Sequence, residues 1–405
     1  MSEVVRAFPD NAIAAMVLAP ALIGADRSQD AIDLLTAAVE AQPGNPQARL
    51  ILAEAYRRAS RVTDMIDTLQ RAIVDGAASV PLMMVYGGLL SALRDSGLVA
   101  PQFVLIDAPD RQLARMAEEA IAAYDAVLDD QPAHLDAMQR RLLLDIERGS
   151  DGVWEEFARL IDADESGERV RAVVDTFQSL DNISEGLDAL DQAVTRKPQR
   201  HDLKVSYAVA LLAADEPDEA LEQLEAAAEY MQDVSAAAEI QRLMLAASDP
   251  EFEFRLGEIT EQLDANKSIS NSDLEFLEEV IESAPYVAQG YLLLARSYLS
   301  RQDAAAALET LLDGQSTLPD DPEIVELLAR VLWQSDERDL AFDHLNKALS
   351  TNPDHVPLLA LTGQFLFEED QPDEARIFLT RAESLNPRSR ALLEAKRNIA
   401  RMLDD

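Results

Sequence analysis

The chain has 405 residues, 75 of them acidic and 35 basic, which leaves a net charge of −40. A field of that sign repels phosphate backbones and anionic lipid headgroups, so nucleic acid and membrane surfaces are disfavoured as partners and a basic segment of another protein is favoured. With 48% hydrophobic residues the chain is too apolar to be disordered, and with no cysteine it has neither disulfides nor thiolate chemistry.

Taken in order, the first apolar run covers residues 12–25, AIAAMVLAPALIGA. At fourteen residues it is too short to span a bilayer. It has the size of a signal-peptide core, with Ala19, Pro20 and Ala21 as a cleavage site, but the preceding MSEVVR sets Glu3 against Arg6. The run also falls in register with the apolar pattern of residues 31–77, so it reads as a structural helix. A cytoplasmic location is expected, with export the alternative if residues 1–25 act as a signal segment.

Downstream, large and small apolar residues recur in a pattern that lets two antiparallel helices pack closely. Leu18, Ala19, Leu22, Ala31, Leu35, Ala38 and Pro43 form one unit, and Leu52, Ala53, Tyr56, Leu69, Ala72 and Ala77 a second. A third opens with Met83, Tyr86, Gly87 and Leu90, but its second helix, carrying Ala120, Tyr124, Val127 and Pro132, arrives about twenty-one residues late. An insertion at about 96–112 accounts for the delay. It contains the only β-flavoured run, residues 102–106, bracketed by Pro101 and Pro109.

The fourth unit has Met138, Leu142 and Ile146, then Trp154, Phe157, Ala158 and Ile161. A fifth has Val170, Val173, Val174, Phe177, Leu190, Ala193 and Pro198, and a sixth Tyr207, Ala208, Leu211, Ala220, Leu224 and Ala227. In the sixth, Pro217, Asp218 and Glu219 stand where a helix N-terminus favours proline and carboxylates. The seventh is split by a second insertion, at about 249–270, in which Phe252, Leu256, Ile259 and Leu263 predict an additional helix.

From there Pro285, Pro319, Pro353 and Pro387 mark equal steps of thirty-four residues. Tyr291, Leu294, Ala295, Tyr298, Ala307, Leu311 and Gly314 fill the slots of one step. Val325, Leu328, Ala329, Leu332, Ala341, Leu345 and Ala348 fill the next, and Leu359, Thr362, Gly363, Leu366, Ala375, Leu379 and Ala382 the last. Residues 388–405 form an amphipathic cap. The count is ten helix pairs, one extra helix and one cap.

This arrangement resembles the tetratricopeptide repeat family, whose pattern is W-x-x-L-G-x-x-Y … A-x-x-x-F … A … P, with the first aromatic replaced here by Tyr291, Val325 or Leu359. The resemblance implies an all-α fold: an α-solenoid, a right-handed superhelix of antiparallel helix pairs with a C-terminal capping helix. Residues 1–405 then form a single continuous solenoid. It further implies a non-catalytic scaffold or adaptor that binds a peptide or protein segment in the concave groove lined by the first, or A, helices. The alternatives are an assembly subunit of a larger complex or homo-oligomer, and a regulatory subunit of an enzyme on another chain.

Nothing in the residues points to an enzyme, a cofactor or a metal. His134, His201, His344 and His355 each stand alone in their repeats, and Gly87 and Gly88 lie within an amphipathic helix rather than after a strand. Relatives that clamp a peptide carboxylate do so with Lys and Asn at set groove positions. The corresponding slots here include Met16, Leu50, Met84, Leu292 and Glu326, so that mode is disfavoured.

Two partner-binding candidates remain. In the regular array Leu299, Trp333 and Phe367 share one groove-side slot, with Arg296, Arg330 and Gln364 sharing the slot one turn earlier; aromatic and arginine side chains dominate protein interfaces. The commoner fate of such a slot is packing against the next A helix, with Arg330 merely paired to Glu326. The other candidate is the insertion surface of Phe103, Val104, Leu105 and Ile106, which folds back onto the solenoid or awaits a partner. Arg57, Arg58, Arg140 and Arg141 read as solvated faces with local ion pairs.

Overall fold

The structure, a computed structural model, describes residues 12–100, 109–177, 183–229 and 234–404, and all regular structure within them is helical. The chain divides into two compact units, residues 1–206 and 207–405. The first holds α1 (Ala12–Gly24), α2 (Ser28–Ala41), α3 (Pro46–Arg58), α4 (Val62–Val74), α5 (Val80–Asp95), α6 (Pro109–Asp130), α7 (Leu135–Arg148), α8 (Val153–Ala163), α9 (Glu168–Val174) and α10 (Ser184–Arg196). The unit boundary falls within α11 (His201–Ala213). The second holds α12 (Pro217–Ala228), α13 (Val234–Ser248), α14 (Phe252–Asp264), α15 (Asn271–Ser283), α16 (Ala288–Ser300), α17 (Ala304–Thr317), α18 (Pro322–Gln334), α19 (Arg338–Thr351), α20 (Val356–Glu368), α21 (Pro372–Leu385) and α22 (Arg390–Asp404). These are an all-α solenoid of helix pairs, and the twenty-two described helices are the ten pairs, extra helix and cap expected from the sequence.

Six of the ten pairs are closed by the same turn. Asp26, Ser60, Asp215, Gln302, Asp336 and Asp370 sit two residues past the end of an A helix with φ between 56° and 63°. The next N–H in each turn reaches back to a carbonyl of the last helical turn: Arg27 to Leu22, Arg61 to Tyr56, Glu216 to Leu211, Asp303 to Tyr298, Glu337 to Leu332 and Gln371 to Leu366, all at 2.9 Å. This is a Schellman closure, which satisfies carbonyls that the helix end leaves without a partner. A non-glycine residue held left-handed costs about 1 kcal/mol, so the reversal is imposed by packing rather than chosen by the residue.

Packing explains the pattern of large and small slots. In the second unit Tyr291, Ala295, Ala307, Leu311, Val325, Leu328, Ala329, Leu332, Ala341 and Leu345 form one buried cluster. Each large side chain removed from water there contributes about 1.5–3 kcal/mol. The small slots set the helix spacing: a Cβ on Gly363 would lie 2.7 Å from Leu379 Cγ, and one on Gly314 would lie 2.9 Å from the Tyr291 ring.

The departures from regularity are local. The extra helix is α14, whose buried face is Phe252, Leu256, Ile259 and Leu263, as the spacing predicts. Helix α6 begins at Pro109, so the end of the expected first insertion is helical. Phe103, Val104, Leu105 and Ile106 lie outside the described residues. The A helix of the fifth pair is only α9, seven residues long, and Phe177, though fully buried, lies beyond its end. Its start is fixed by Asp164, a residue with no exposure, whose carboxylate accepts the backbone N–H groups of Arg169 at 2.8 Å and Val170 at 3.1 Å and the Ser166 hydroxyl at 2.8 Å.

Candidate partner-binding surface

The A-helix face of the regular array is formed by α16, α18 and α20, one repeat apart. The thirty-four-residue step brings Leu299, Trp333 and Phe367 to the same slot near the C-terminal end of each helix, and all three are half-buried. Trp333 is the most engaged. Its ring stacks on Phe365 of the next A helix, with centroids 4.0 Å apart and planes 7° from parallel. It meets Phe342 of α19 edge-on at 5.6 Å, and the Arg338 guanidinium lies 5.3 Å from its centroid.

The indole Nε1 donates to Glu368 Oε2 at 2.7 Å. Glu368 also accepts from Gln364 Nε2 at 2.8 Å, and Gln364 Oε1 in turn accepts from Asn398 Nδ2 of α22 at 3.2 Å. Gln364 is therefore buried in a hydrogen-bonded ladder, not displayed as a free polar contact. Arg330 pairs with Glu326 at 2.8 Å, as the packing alternative expects, and Arg296 pairs with Asp264 at the end of α14. Leu299 packs partly on the core.

Four participants were not singled out from sequence: Phe342, Phe365, Glu368 and Arg338. The Phe365 and Phe367 spacing, two apart on one helix, was the available signal that one of them turns inward. The arginine islands resolve as expected for Arg57 and Arg58, which share Glu54, and the Arg57 hydrogen bond holds that carboxyl below its ordinary value. Arg141 pairs with Asp125 at 2.5 Å and with Glu156, while Arg140 is exposed.

A second surface lies between α15, α16 and α17. A groove of about 630 Å³ is lined by Glu278, Glu282, Glu309 and Asp313 together with Tyr291 and Tyr298, and no cation is among its lining residues. The Tyr298 hydroxyl donates to Glu278 at 3.0 Å; burial first, and then the carboxylate beside it, raise its pKa above the usual phenol value. Among the described residues no group of three or more His, Asp or Glu is arranged to hold a metal ion, and no helix is long and apolar enough to cross a membrane.

The profile of the tetratricopeptide repeat family matches residues 16–81, 174–238 and 288–356. These three stretches are tetratricopeptide repeats. The third matched stretch contains Leu299 and Trp333, and α20 with Phe367 extends the same period beyond it. Among solved structures, the tetratricopeptide domain of P58(IPK) is 19% identical over 97% of this chain and 98% of its own, with a TM-score of 0.27. Yeast Tom70 is 12% identical over 97% and 89%, with a TM-score of 0.35. A tetratricopeptide repeat protein from Parabacteroides merdae is 14% identical over 79% and 98%, with a TM-score of 0.35. A sequence search of the curated proteins gives no match.

Proposed function

We propose that this chain is a non-catalytic interaction scaffold that holds a segment of a partner protein on the A-helix face of α16, α18 and α20, since tetratricopeptide repeats generally mediate protein–protein interactions. The observation that carries the reading is the shared slot of Leu299, Trp333 and Phe367. Trp333 is immobilised between Phe365, Phe342 and Arg338, so it supplies a rigid floor, while Leu299 and Phe367 flank it half-buried. A preordered apolar floor reduces the ordering cost that a partner meets on binding. The test places a photo-crosslinking side chain at Phe367 and, as a control, at Ile377, which is 67% exposed. Capture of one defined protein from position 367 alone supports the reading, and equal capture from both positions overturns it. Light scattering of the purified chain decides against it in another way: a stable oligomer whose interface buries Phe367 makes the protein an assembly subunit.

The carboxylate groove between α15 and α17 supports a second reading, in which a basic segment docks there. Four carboxylates without an internal cation give a local field of one sign, and a lysine- or arginine-rich peptide neutralises it. Binding of such a peptide should weaken at least ~10-fold when Glu278, Glu282, Glu309 and Asp313 are neutralised together to Gln, Gln, Gln and Asn. Unchanged binding means that the peptide merely follows the net charge.

A further inference from the structure

We propose that the outward face of α22 is a docking site for a short acidic segment of a partner protein. Between residues 388 and 401 lie five cations and one carboxylate, in a chain whose acids outnumber its bases by 75 to 35. Arg390, Leu393, Glu394, Arg397 and Arg401 follow helical spacing along one face, and Arg388 precedes them at its foot. All six are exposed, and they line a depression of about 400 Å³. The opposite face of the helix buries Leu392 and Ala395 against α20 and α21, so α22 is held in place and its arginine face is not the one used for packing.

What sets the cluster apart is its lack of counter-charge. Elsewhere in the second unit Arg242, Arg255, Arg296, Arg330, Arg338 and Arg381 each sit on a carboxylate and Arg301 on Asn271 and the Ile269 carbonyl, while Arg376, exposed on α21, stands singly rather than in a cluster. None of Arg388, Arg390, Arg397 and Arg401 makes an ion pair with a described side chain. Lys396 is the exception on this helix, paired to Glu383 at 2.8 Å. Like charges gathered on one helical face destabilise it slightly. That cost is offset when carboxylates arrive from outside, and guanidinium groups favour such ligands because their paired N–H groups match the two oxygens.

The size of the patch selects the class of partner. From Arg390 to Arg401 the helix rises about 17 Å at 1.5 Å per residue. An extended segment of roughly five residues covers that length. A nucleic-acid backbone or a lipid surface would continue past the patch onto a protein of net charge −40, where the field repels it. A short acidic peptide ends where the patch ends. Leu393, which is 49% exposed between the arginines, adds an apolar contact for a side chain within that segment.

The test is fluorescence anisotropy of the full chain with a labelled seven-residue peptide of six glutamates around a central leucine, near physiological salt. Binding should fall at least ~10-fold in Arg390→Glu/Arg397→Glu. It should stay within about threefold in the Arg390→Lys/Arg397→Lys variant, and far-UV circular dichroism should show both variants folded. Peptide binding unchanged by the glutamate variant overturns the proposal. So does binding of a seven-residue oligothymidylate or of phosphatidylserine vesicles that equals the peptide and is lost in the same variant. Self-association seen by sedimentation and abolished by the variant would assign the face to a second copy of this chain and overturn it as well.

Discussion

The three repeats from α16 to α21 and the irregular stretch from α7 to α9 solve the same packing problem with different materials. In the regular repeats the helices are 13 or 14 residues long and the buried slots between paired helices are mostly apolar or small; apart from the ladder through Trp333, Glu368 and buried Gln364, cross-repeat polar links such as Arg338 to Glu369 lie on the surface. In the irregular stretch the helices shorten from 14 to 11 to 7 residues, and buried or half-buried charge takes over the joining. Asp164 pins the start of α9, Arg200 donates to the Asp164 carbonyl at 2.9 Å, and Arg141 gathers Asp125 and Glu156 from the neighbouring helices. Apolar slots tolerate interchange because they are non-directional. A carboxylate that satisfies several donors fits one geometry only, so the irregular stretch is specific where the regular one is generic.

The largest test of this contrast is Trp333→Ala. It removes a stacked ring and leaves Glu368 without its indole donor, so chemical denaturation should show a loss of about 3–5 kcal/mol. A loss under about 1 kcal/mol would mean that the tryptophan is surface, and the regular array would then owe nothing to it. Next comes Asp164→Ala in the irregular stretch, which orphans the N–H groups of Arg169 and Val170 and should cost about 2–4 kcal/mol. Burial alone would raise the Asp164 carboxyl, but the hydrogen bonds from Ser166, Val170, Arg169 and Gly167 outweigh it and hold its pKa below the ordinary value. Its contribution is therefore complete above the unfolded carboxyl pKa and is lost as pH falls through the folded one. Asp164→Asn should flatten that acid limb of the stability curve.

A smaller test lies in the N-cap slot of the regular repeats. Val287, Asp321 and His355 occupy it thirty-four residues apart, and only Asp321 and His355 accept a cap bond from the side chain. Burial pushes His355 below its usual value, so its stabilising neutral form is present above the unfolded histidine pKa and is lost as pH falls toward the folded one. His355→Asn should keep the cap and remove up to about 1 kcal/mol of the difference in stability between roughly pH 7.5 and 5.5. Smallest is Asp336→Gly, which relieves a left-handed residue in a turn and should stabilise by about 0.5–1 kcal/mol. If it destabilises instead, the aspartate is held there by more than packing.

The slots were legible because period and residue size together determine a buried face: Ala295, Ala329 and Gly363, or Leu311 and Leu345, need no partner to be recognised. The extra helix α14 was legible for the same reason. The closing turns were less so: four of the six put Asp at the left-handed position, but Ser60 and Gln302 take the same conformation. The engagement of Trp333 was not, because a slot sets the direction of a side chain and not what lies across from it; Phe365 comes thirty-two residues later, two short of the repeat. The short α9 escaped notice because Val170, Val173 and Val174 read as the start of a full helix, whereas the cap that defines it comes from Asp164 upstream. The unpaired arginines of α22 became visible only by contrast with the paired ones.

The ladder from Trp333 through Glu368 and Gln364 to Asn398 crosses α18, α20 and α22, and so links elements that a simple stack would couple only to their neighbours. Amide exchange makes the consequence measurable. Without the ladder, protection should decline helix by helix toward α22; with it, these three helices should share one opening free energy, so that residues 322–404 exchange as one unit.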